Sequence, residues 1–211
     1  DDADAITLAR FRAADLRVET KSDLTPVSEA DRAVEAMLRG RIERERPGEP
    51  VLGEEEGGAD TSGWILDPID GTRNYTRGIP VWATLIAFAD RVAVVSAPAL
   101  GRRWWAVRGG GAYVNGESIH VSRISRLEDA TLLYALDRPV PERAWAAWHL
   151  RGFGDFWAHM LVAEGAAELA VDAPDLAVWD AAPLSIILEE AGGRYESSVS
   201  SNGVLDLSGL R

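Results

Sequence analysis

Residues 64–74 read Trp-Ile-Leu-Asp-Pro-Ile-Asp-Gly-Thr-Arg-Asn. The apolar start of this stretch is typical of the end of a buried strand. Asp67 and Asp70 then flank a Pro-Ile turn, so two carboxylates leave the strand close together. The Gly-Thr pair that follows favours a helix start, where backbone N–H groups attract phosphate. Because carboxylates bind hard divalent cations, this stretch predicts a site for metal ions and a phosphate group.

The composition limits the classes of protein to which the chain can belong. Its 211 residues are 46% hydrophobic, which is enough for a substantial core. The net charge of −12 argues against a nucleic-acid partner, since binding to a phosphate backbone needs a basic surface. Without cysteine, disulfides and thiolate chemistry are excluded. No apolar run is long enough to cross a membrane and no signal peptide is visible, so we expect a cytoplasmic protein with no membrane partner.

Hydrophobic patterns predict helices interleaved with antiparallel strands. Ser28-Glu-Ala-Asp31 has the form of a helix N-cap and opens an amphipathic helix over about residues 29–46. Residues 81–116 are typical of a meander of antiparallel strands. Further helices are predicted over residues 2–14, 155–165 and 180–191. The mixture predicts an α/β (α+β mixed) layered sandwich in one domain over residues 1–211, with halves of about 1–120 and 121–211.

Three connections are too tight for the elements that they join. They are residues 89–92, 137–142 and 197–201. The first joins two predicted strands without a glycine, and the third is a run of serine and valine where a β-turn is expected. We hypothesise that a mobile loop is missing from the sequence at each of these places.

Acidic residues recur at the ends of the predicted strands and at one helix start. Glu54 follows a strand end and a glycine, and Asp180 opens the last helix. With Asp67 and Asp70 they offer the hard oxygen ligands that Mg²⁺ or Mn²⁺ prefers. Asp67 could bridge two ions. Glu54 and the carbonyl of Ile69 could complete one ion, and Asp70 and Asp180 the other.

A pair of cations about 4 Å apart activates water and stabilises the leaving oxygen of a phosphate ester. The Thr72 hydroxyl could hydrogen-bond the attacking water, and Asp31 could receive its proton. A simpler interpretation is open for single residues, because an Asp at a helix start is a common cap and would account for Asp31 or Asp180 alone. The metal prediction therefore depends on the joint pattern.

These motifs together resemble the inositol monophosphatase family of Mg²⁺-dependent, lithium-sensitive phosphatases. The family has a Gly-Glu-Glu motif, a Trp-x-x-Asp-Pro-x-Asp-Gly-Thr-x-Asn run and a late Trp-Asp before a helix. Here the matching segments are Gly53–Glu55, Trp64–Asn74, Trp179–Asp180 and a closing Glu190–Gly193. Their order and spacing fit over nearly the whole chain. The resemblance implies an αβαβα five-layer sandwich of the sugar phosphatase type and a homodimer.

The resemblance also implies roles for individual residues. It implies two or three Mg²⁺ ions, or Mn²⁺, held by Glu54, Asp67, the Ile69 carbonyl, Asp70 and Asp180. It implies that Glu54, Thr72 and Asp31 are catalytic. Phosphate would lie on the N–H groups of Gly71 and Thr72. The further substrate-binding residues would be Arg151, Gly154, Asp155 and Asp172.

Five further stretches match one group within the family: Asp23–Asp31, Gly78–Trp82, Val95–Ala99, Arg102–Trp105 and Gly152–Phe156. By these stretches the sequence is most similar to actinobacterial histidinol-phosphate phosphatases. Asp155 stands where inositol enzymes have alanine, and it would face the cationic amine or imidazole of that substrate; it could also cap a helix. The family's later substrate-contacting acid falls near Asp172, although Ala173 is the strict match by spacing. Arg151 could steer the phosphate or form an interface salt bridge.

The predicted reaction is hydrolysis of a small phosphate monoester by direct attack of water, without a covalent phospho-enzyme. The favoured substrate is histidinol phosphate, which would give L-histidinol in histidine biosynthesis. An inositol-1-phosphate or broad-specificity phosphatase is the alternative enzyme, and a catalytically dead scaffold of the same fold is the non-enzyme alternative. No basic pocket for a second phosphate is evident, which disfavours bisphosphate substrates.

Overall fold

The computed structural model describes residues 1–58, 60–135 and 139–210. The α-helices of this part are α1 (Asp2–Arg10), α2 (Glu29–Glu45), α3 (Thr72–Thr76), α4 (Asp155–Ala163) and α5 (Val178–Glu190). Its strands are β1 (Val18–Thr20), β2 (Pro26–Ser28), β3 (Val51–Gly53), β4 (Trp64–Asp70), β5 (Ala83–Phe88), β6 (Val92–Ala97), β7 (Arg102–Val107), β8 (Gly111–Val114), β9 (Glu117–Ile119), β10 (Thr131–Tyr134), β11 (His149–Arg151), β12 (Leu169–Val171), β13 (Arg194–Glu196) and β14 (Val199–Ser201). Short 3₁₀ turns lie at Pro98–Leu100, Leu127–Asp129 and Glu142–Ala146.

Two main sheets form the framework. The first has seven strands in the order β3-β4-β5-β6-β7-β8-β9, and only its β3–β4 pair is parallel. The second has five strands in the order β11-β10-β12-β14-β13, with β10 parallel to both neighbours. The predicted antiparallel meander is confirmed by β5 to β9.

Helices and sheets alternate in layers. α1 packs on α2, which lies on β4, while α4 and α5 lie between the two sheets. Leu132 and Tyr134 of β10 face the other way, toward the Glu142–Ala146 turn and the C-terminal Leu205 and Leu210. In the described residues, this fifth layer is built of 3₁₀ turns and extended chain.

The start of α2 agrees with its sequence signature. The Ser28 hydroxyl accepts the N–H of Ala30 at 3.2 Å, and the Asp31 carboxylate accepts the N–H of Ser28 at 2.8 Å. This capping box fixes both the helix start and the position of the Asp31 carboxylate. In contrast, α1 ends at Arg10 rather than residue 14, because Arg12 adopts a left-handed backbone with φ of 62°.

The structure forms closed turns at two of the three tight connections, and the hypothesis of missing loops stays a prediction. β5 and β6 join through a continuous turn in which the N–H of Arg91 donates to the carbonyl of Phe88 at 3.1 Å. Ser197 and Ser198 connect β13 and β14 with φ angles of 49° and 64°. Two successive positive φ values make the hairpin turn that matches strand twist, here without glycine. The third connection includes residues 136–138, which lie outside the described residues.

In the described part of the chain, no helix is both long and apolar enough to cross a membrane.

Candidate metal centre

A cleft of about 770 Å³ opens where β4, α3, α4 and α5 meet. Of the residues predicted for the site, those that line it are Glu54, Asp67, Ile69, Asp70, Gly71, Thr72, Gly154, Asp155, Asp172 and Asp180. Asp31 lies directly behind Thr72. The structure therefore brings together residues from both halves of the chain, and only Arg151 stands apart.

Arg151 does not reach the cleft. It lies on β11, the edge strand of the second sheet, where its side chain is exposed and donates to the carbonyl of Leu150 at 2.7 Å. Arg151 is not among the residues that line the cleft, so its role in phosphate steering stays a prediction. Its alternative role in an interface stays a prediction.

A bulge in β4 presents the central acids to the cleft. The register between β4 and β5 shifts between Asp67 and Asp70, where Pro68 lacks an N–H for the ladder. The N–H of Ile69 instead donates to Asp67 Oδ1 at 2.9 Å, and the Thr84 hydroxyl donates to the Pro68 carbonyl at 2.8 Å. The Asp-Pro-x-Asp motif thus leaves two carboxylates beside a turned backbone.

Asp67, Asp70 and Asp180 form a tight cluster of carboxylates. Each offers an oxygen, and the three oxygens all lie within 4.8 Å of one another. Burial raises the pKa of Asp67 well above its ordinary value, and the like charges of Glu54 and Asp180 raise it further. Burial likewise raises the pKa of Asp70, and it raises that of Asp180 to about 7. A set of hard oxygen donors that repel one another fits a divalent cation, which would remove that repulsion.

Glu54 lies beside the cluster and is paired with a lysine that the sequence analysis missed. Lys21 Nζ lies 2.7 Å from Glu54 Oε1 and 2.6 Å from Glu55 Oε1. One signal could have found it: Lys21 is the single lysine of the sequence, and every other member of the Lys-Arg set is arginine. The ammonium group of lysine is more compact than the planar guanidinium group of arginine. A compact charge suits a crowded acidic site.

The loop that carries Glu54 is held from behind by a second buried acid. Glu35 on α2 accepts the N–H of Glu55 at 2.7 Å and that of Glu56 at 3.0 Å. A Cβ at Gly53 would lie 2.1 Å from Glu35 Oε1, so only glycine leaves room for this carboxylate. The Gly-Glu-Glu motif therefore needs its glycine for packing and presents its first glutamate to the cleft.

Thr72 and Asp31 meet as predicted. Thr72 Oγ1 lies 2.9 Å from the Ile69 carbonyl and 3.3 Å from Asp31 Oδ1. Asp31 is fully buried, and burial raises its pKa although hydrogen bonds from Ser28 oppose the rise. Both interpretations of Asp31 hold, because one oxygen caps α2 and the other faces Thr72. The hydroxyl has a single proton, so it can donate to only one of its two acceptors at a time.

Glycine is required at the turn into α3. Gly71 has a φ of 81°, and a Cβ there would lie 3.0 Å from the carbonyl of Val81. This left-handed turn allows β4 to lead directly into the first turn of α3, which brings Gly71 and Thr72 to the wall of the cleft.

The first turn of α4 forms the opposite wall. The N–H of Phe156 donates to Asp70 Oδ2 at 2.5 Å, and Asn74 Nδ2 donates to Asp155 Oδ2 at 3.3 Å. Asp155 has a φ of 54°, an unusual backbone for an Asp at the start of a helix. These contacts join the start of α4 directly to the carboxylate cluster and to α3.

Asp172 directly follows β12 and lines the cleft, whereas Ala173 does not line it. Its Oδ1 accepts the N–H of Ala173 at 2.7 Å, and its Oδ2 lies 3.5 Å from Nε2 of the buried His159. Burial raises the pKa of Asp172, but His159 and the backbone N–H groups of Ala173 and Asp155 outweigh burial and hold the pKa below its ordinary value. This acid therefore stays ionised.

The raised pKa values predict how Mg²⁺ stabilises the fold at different pH values. In the unfolded chain the carboxyls lose their protons near pH ~4, whereas Asp67, Asp70 and Asp180 hold theirs to higher pH in the metal-free fold. The metal-free protein thus loses stability as pH rises from about 4 to 7, and Mg²⁺ must displace those protons. We expect saturating Mg²⁺ to raise the melting temperature by several degrees more at pH 8 than at pH 5.5.

Differential scanning fluorimetry at both pH values, with and without Mg²⁺, measures this difference. An Asp180→Asn variant serves as the control and should lose most of the pH-dependent gain. Equal stabilisation by Mg²⁺ at the two pH values would contradict a cation site made of these acids.

The model of the inositol monophosphatase family matches residues 2–202. A histidinol-phosphatase of Streptomyces coelicolor is 47% identical, covering 92% of this chain and 82% of that protein. A histidinol-phosphatase of Mycobacterium tuberculosis is 46% identical over 237 aligned positions, covering 97% of this chain and 91% of that protein. Since that alignment is longer than the chain itself, this chain lacks internal segments that the relative has.

Solved structures agree with the sequence matches. An IMPase of Thermotoga maritima superposes with a TM-score of 0.84 at 27% identity, covering 96% of this chain and 89% of that chain. The suhB protein of Bartonella henselae superposes with the same TM-score at 26% identity. The family model, the close relatives and the shared fold all agree. The chain belongs to the inositol monophosphatase family of metal-dependent phosphatases.

Proposed function

We propose that this protein is a histidinol-phosphate phosphatase that releases L-histidinol and phosphate in histidine biosynthesis. The observation that carries the proposal is the pair of acids Asp155 and Asp172, which line the cleft with Gly154. Histidinol phosphate has a cationic amine and an imidazole, and two carboxylates would attract such a group. The names of the two bacterial relatives support the same substrate.

We assign the metal ions to the carboxylate cluster. Glu54, Asp67, the Ile69 carbonyl, Asp70 and Asp180 would hold two or three Mg²⁺ ions, and Mn²⁺ would suit the same oxygen donors. When bound, the ions activate water and neutralise the phosphate charge. The raised pKa values of the buried acids support this assignment, because a cation would relieve the repulsion that causes them.

The remaining steps fall to residues of the chain. The Thr72 hydroxyl orients the attacking water, and Asp31 receives the proton through it. The N–H groups of Gly71 and Thr72 bind the phosphate oxygens. With Thr72 and Asp31, we assign the Glu54 carboxylate a catalytic role. Catalysis is then mainly positional and electrostatic, and no residue has to form a covalent phospho-enzyme.

An inositol-1-phosphate phosphatase is the second candidate. An inositol-1-monophosphatase of Mycobacterium leprae is 36% identical over 83% of this chain, which supports a related substrate. A catalytically dead scaffold is the remaining alternative, but the acids of the cluster are all present, whereas a decayed enzyme would be expected to lose at least one.

Rates of phosphate release from histidinol phosphate and inositol 1-phosphate, measured side by side with Mg²⁺, test the proposal. We expect kcat/KM for histidinol phosphate to be at least about tenfold higher, since Asp155 and Asp172 offer a partner only to the cation. Asp60→Asn, at an exposed acid that does not line the cleft, is the control and should not change either rate. Equal rates would favour a broad-specificity phosphatase, and no Mg²⁺-dependent release from either ester would favour the scaffold.

Three further properties stay predictions. A homodimer and a cytoplasmic location are expected from the sequence. A single domain over residues 1–211, with halves that divide near residue 120, is likewise our proposal for the organisation of the chain.

A further inference from the structure

A buried histidine lies beside Asp172, and the mechanism above does not use it. His159 is on α4 and is fully buried. Its Nδ1 lies 2.6 Å from the Ser200 hydroxyl on β14, and its Nε2 lies 3.5 Å from Asp172 Oδ2. Ser200 is also fully buried. A serine, a histidine and an aspartate in line suggest a nucleophile, but a serine without access to the cleft cannot attack a substrate.

The two ends of this line are incompletely hydrogen-bonded. Among the described residues, neither His159 Nε2 nor Asp172 Oδ2 has a partner at hydrogen-bond distance. The Asp172 side chain is only 8% exposed, yet it forms part of the cleft wall. A Cβ at Gly154 would lie 3.5 Å from Asp172 Oδ2, so the carboxylate lies against bare backbone. Because Oδ2 itself is buried, a ligand group in the cleft interacts with the negative charge of this carboxylate rather than with a free oxygen.

The imidazole of His159 contacts Ser200 through Nδ1 and faces Asp172 through Nε2. In the tautomer with the ring proton on Nε2, this N–H is directed at Asp172 and the Ser200 hydroxyl donates to Nδ1. The ring then holds the carboxylate toward Gly154 and opposes its protonation. Arg73 is the one Lys or Arg among the cleft-lining residues that the structure describes, so a cationic ligand group meets mainly acids there.

We propose that His159 is a positioning residue, which holds Asp172 as the carboxylate that selects phosphate monoesters carrying an ammonium or imidazolium group. The proposal rests on the proposed function in one respect, namely that the cleft hydrolyses a phosphate ester. It extends that function to a substrate class, the aminoalkyl phosphates, of which histidinol phosphate is one member.

The test compares two esters that differ in charge, O-phosphoethanolamine with its ammonium group and ethyl phosphate without one. His159→Leu should raise KM for O-phosphoethanolamine about tenfold while kcat changes little. The KM for ethyl phosphate should change much less. His159→Gln keeps an N–H donor near the Nε2 position and should restore most of the preference. Asp172→Asn should remove the preference altogether.

Ser122→Ala is the matched control. It removes a hydroxyl that donates to the Glu168 carboxylate in the same half of the chain, and Ser122 does not line the cleft. Equal KM changes for both esters, or a wild-type enzyme with no preference for the ammonium ester, would overturn the proposal. If His159→Leu does not fold, the His159→Gln and Asp172→Asn variants still decide the proposal. They do so by the ratio of the KM values for ethyl phosphate and O-phosphoethanolamine. A wild-type enzyme that prefers inositol 1-phosphate to histidinol phosphate would instead refute the proposed substrate. The ratio of the KM values for ethyl phosphate and O-phosphoethanolamine would still test the role of His159.

Discussion

Replacing Asp67 by asparagine is expected to abolish phosphate release while the protein stays folded. Asp67 is 1% exposed and shares a carboxylate cluster with Asp70 and Asp180. The charge of Glu54 also acts on it. Asparagine keeps the acceptor for the N–H of Ile69 but removes the charge that would be shared between two cations. We expect turnover to fall at least about a thousandfold, equivalent to ~4 kcal/mol of transition-state stabilisation.

The same substitution should not weaken the metal-free fold. Since burial and like charges raise the pKa of Asp67, loss of this ionisable group removes repulsion and should leave the melting temperature unchanged or higher above neutral pH. Asp60→Asn, at an exposed acid in the preceding loop, is the control and should keep full activity. An Asp67→Asn enzyme with wild-type turnover would contradict the two-metal model.

Replacing Thr72 by valine has the second largest expected effect. Valine matches threonine in shape but lacks the hydroxyl that lies 2.9 Å from the Ile69 carbonyl and 3.3 Å from Asp31. If this hydroxyl orients the attacking water, its loss should lower kcat about a hundredfold and change KM little, as for removal of a proton-transfer partner. Steady-state kinetics at saturating Mg²⁺ measures the two constants separately.

Two companion variants separate proton transfer from packing. Thr72→Ser restores the hydroxyl and should recover most of kcat. Asp31→Asn keeps the shape of the acid and should resemble Thr72→Val in its loss of kcat. A Thr72→Val enzyme that keeps kcat and loses only KM would instead assign the hydroxyl to substrate binding.

The central part of the site could be predicted from the sequence because its chemistry is local. Asp67, Asp70, Gly71 and Thr72 are neighbours along one strand end, and the bulge at Pro68 follows from the missing N–H. The capping box of α2 is local in the same way. The αβαβα order and the convergence of Asp180 on this strand end came from the resemblance to a family rather than from periodicity.

The contacts that support the site could not be predicted, because each joins distant parts of the chain. Lys21 meets Glu54, and Glu35 holds the following loop, although α2 and a loop separate them in sequence. His159 meets Asp172 only because α4 packs on β12 and β14. Which face of an apolar helix carries a useful histidine depends on packing, and a lone buried histidine gives no signal in sequence.

The differences at the surface have a similar origin. Whether a side chain on an edge strand points toward a cleft depends on register, and a shift of one residue reverses the answer. The tight turns at Ala89 and Ser197 use left-handed backbone without glycine, which residue type alone does not indicate.

The most direct test of the central claim is a crystal structure of the protein soaked with Mn²⁺ and phosphate, with diffraction measured at the manganese absorption edge. The account predicts at least two anomalous peaks separated by about 4 Å, each bonded to oxygens of Glu54, Asp67, Asp70 or Asp180, with Asp67 shared between them. A single peak without Asp67 as a ligand, or manganese bound only outside the cleft, would contradict it.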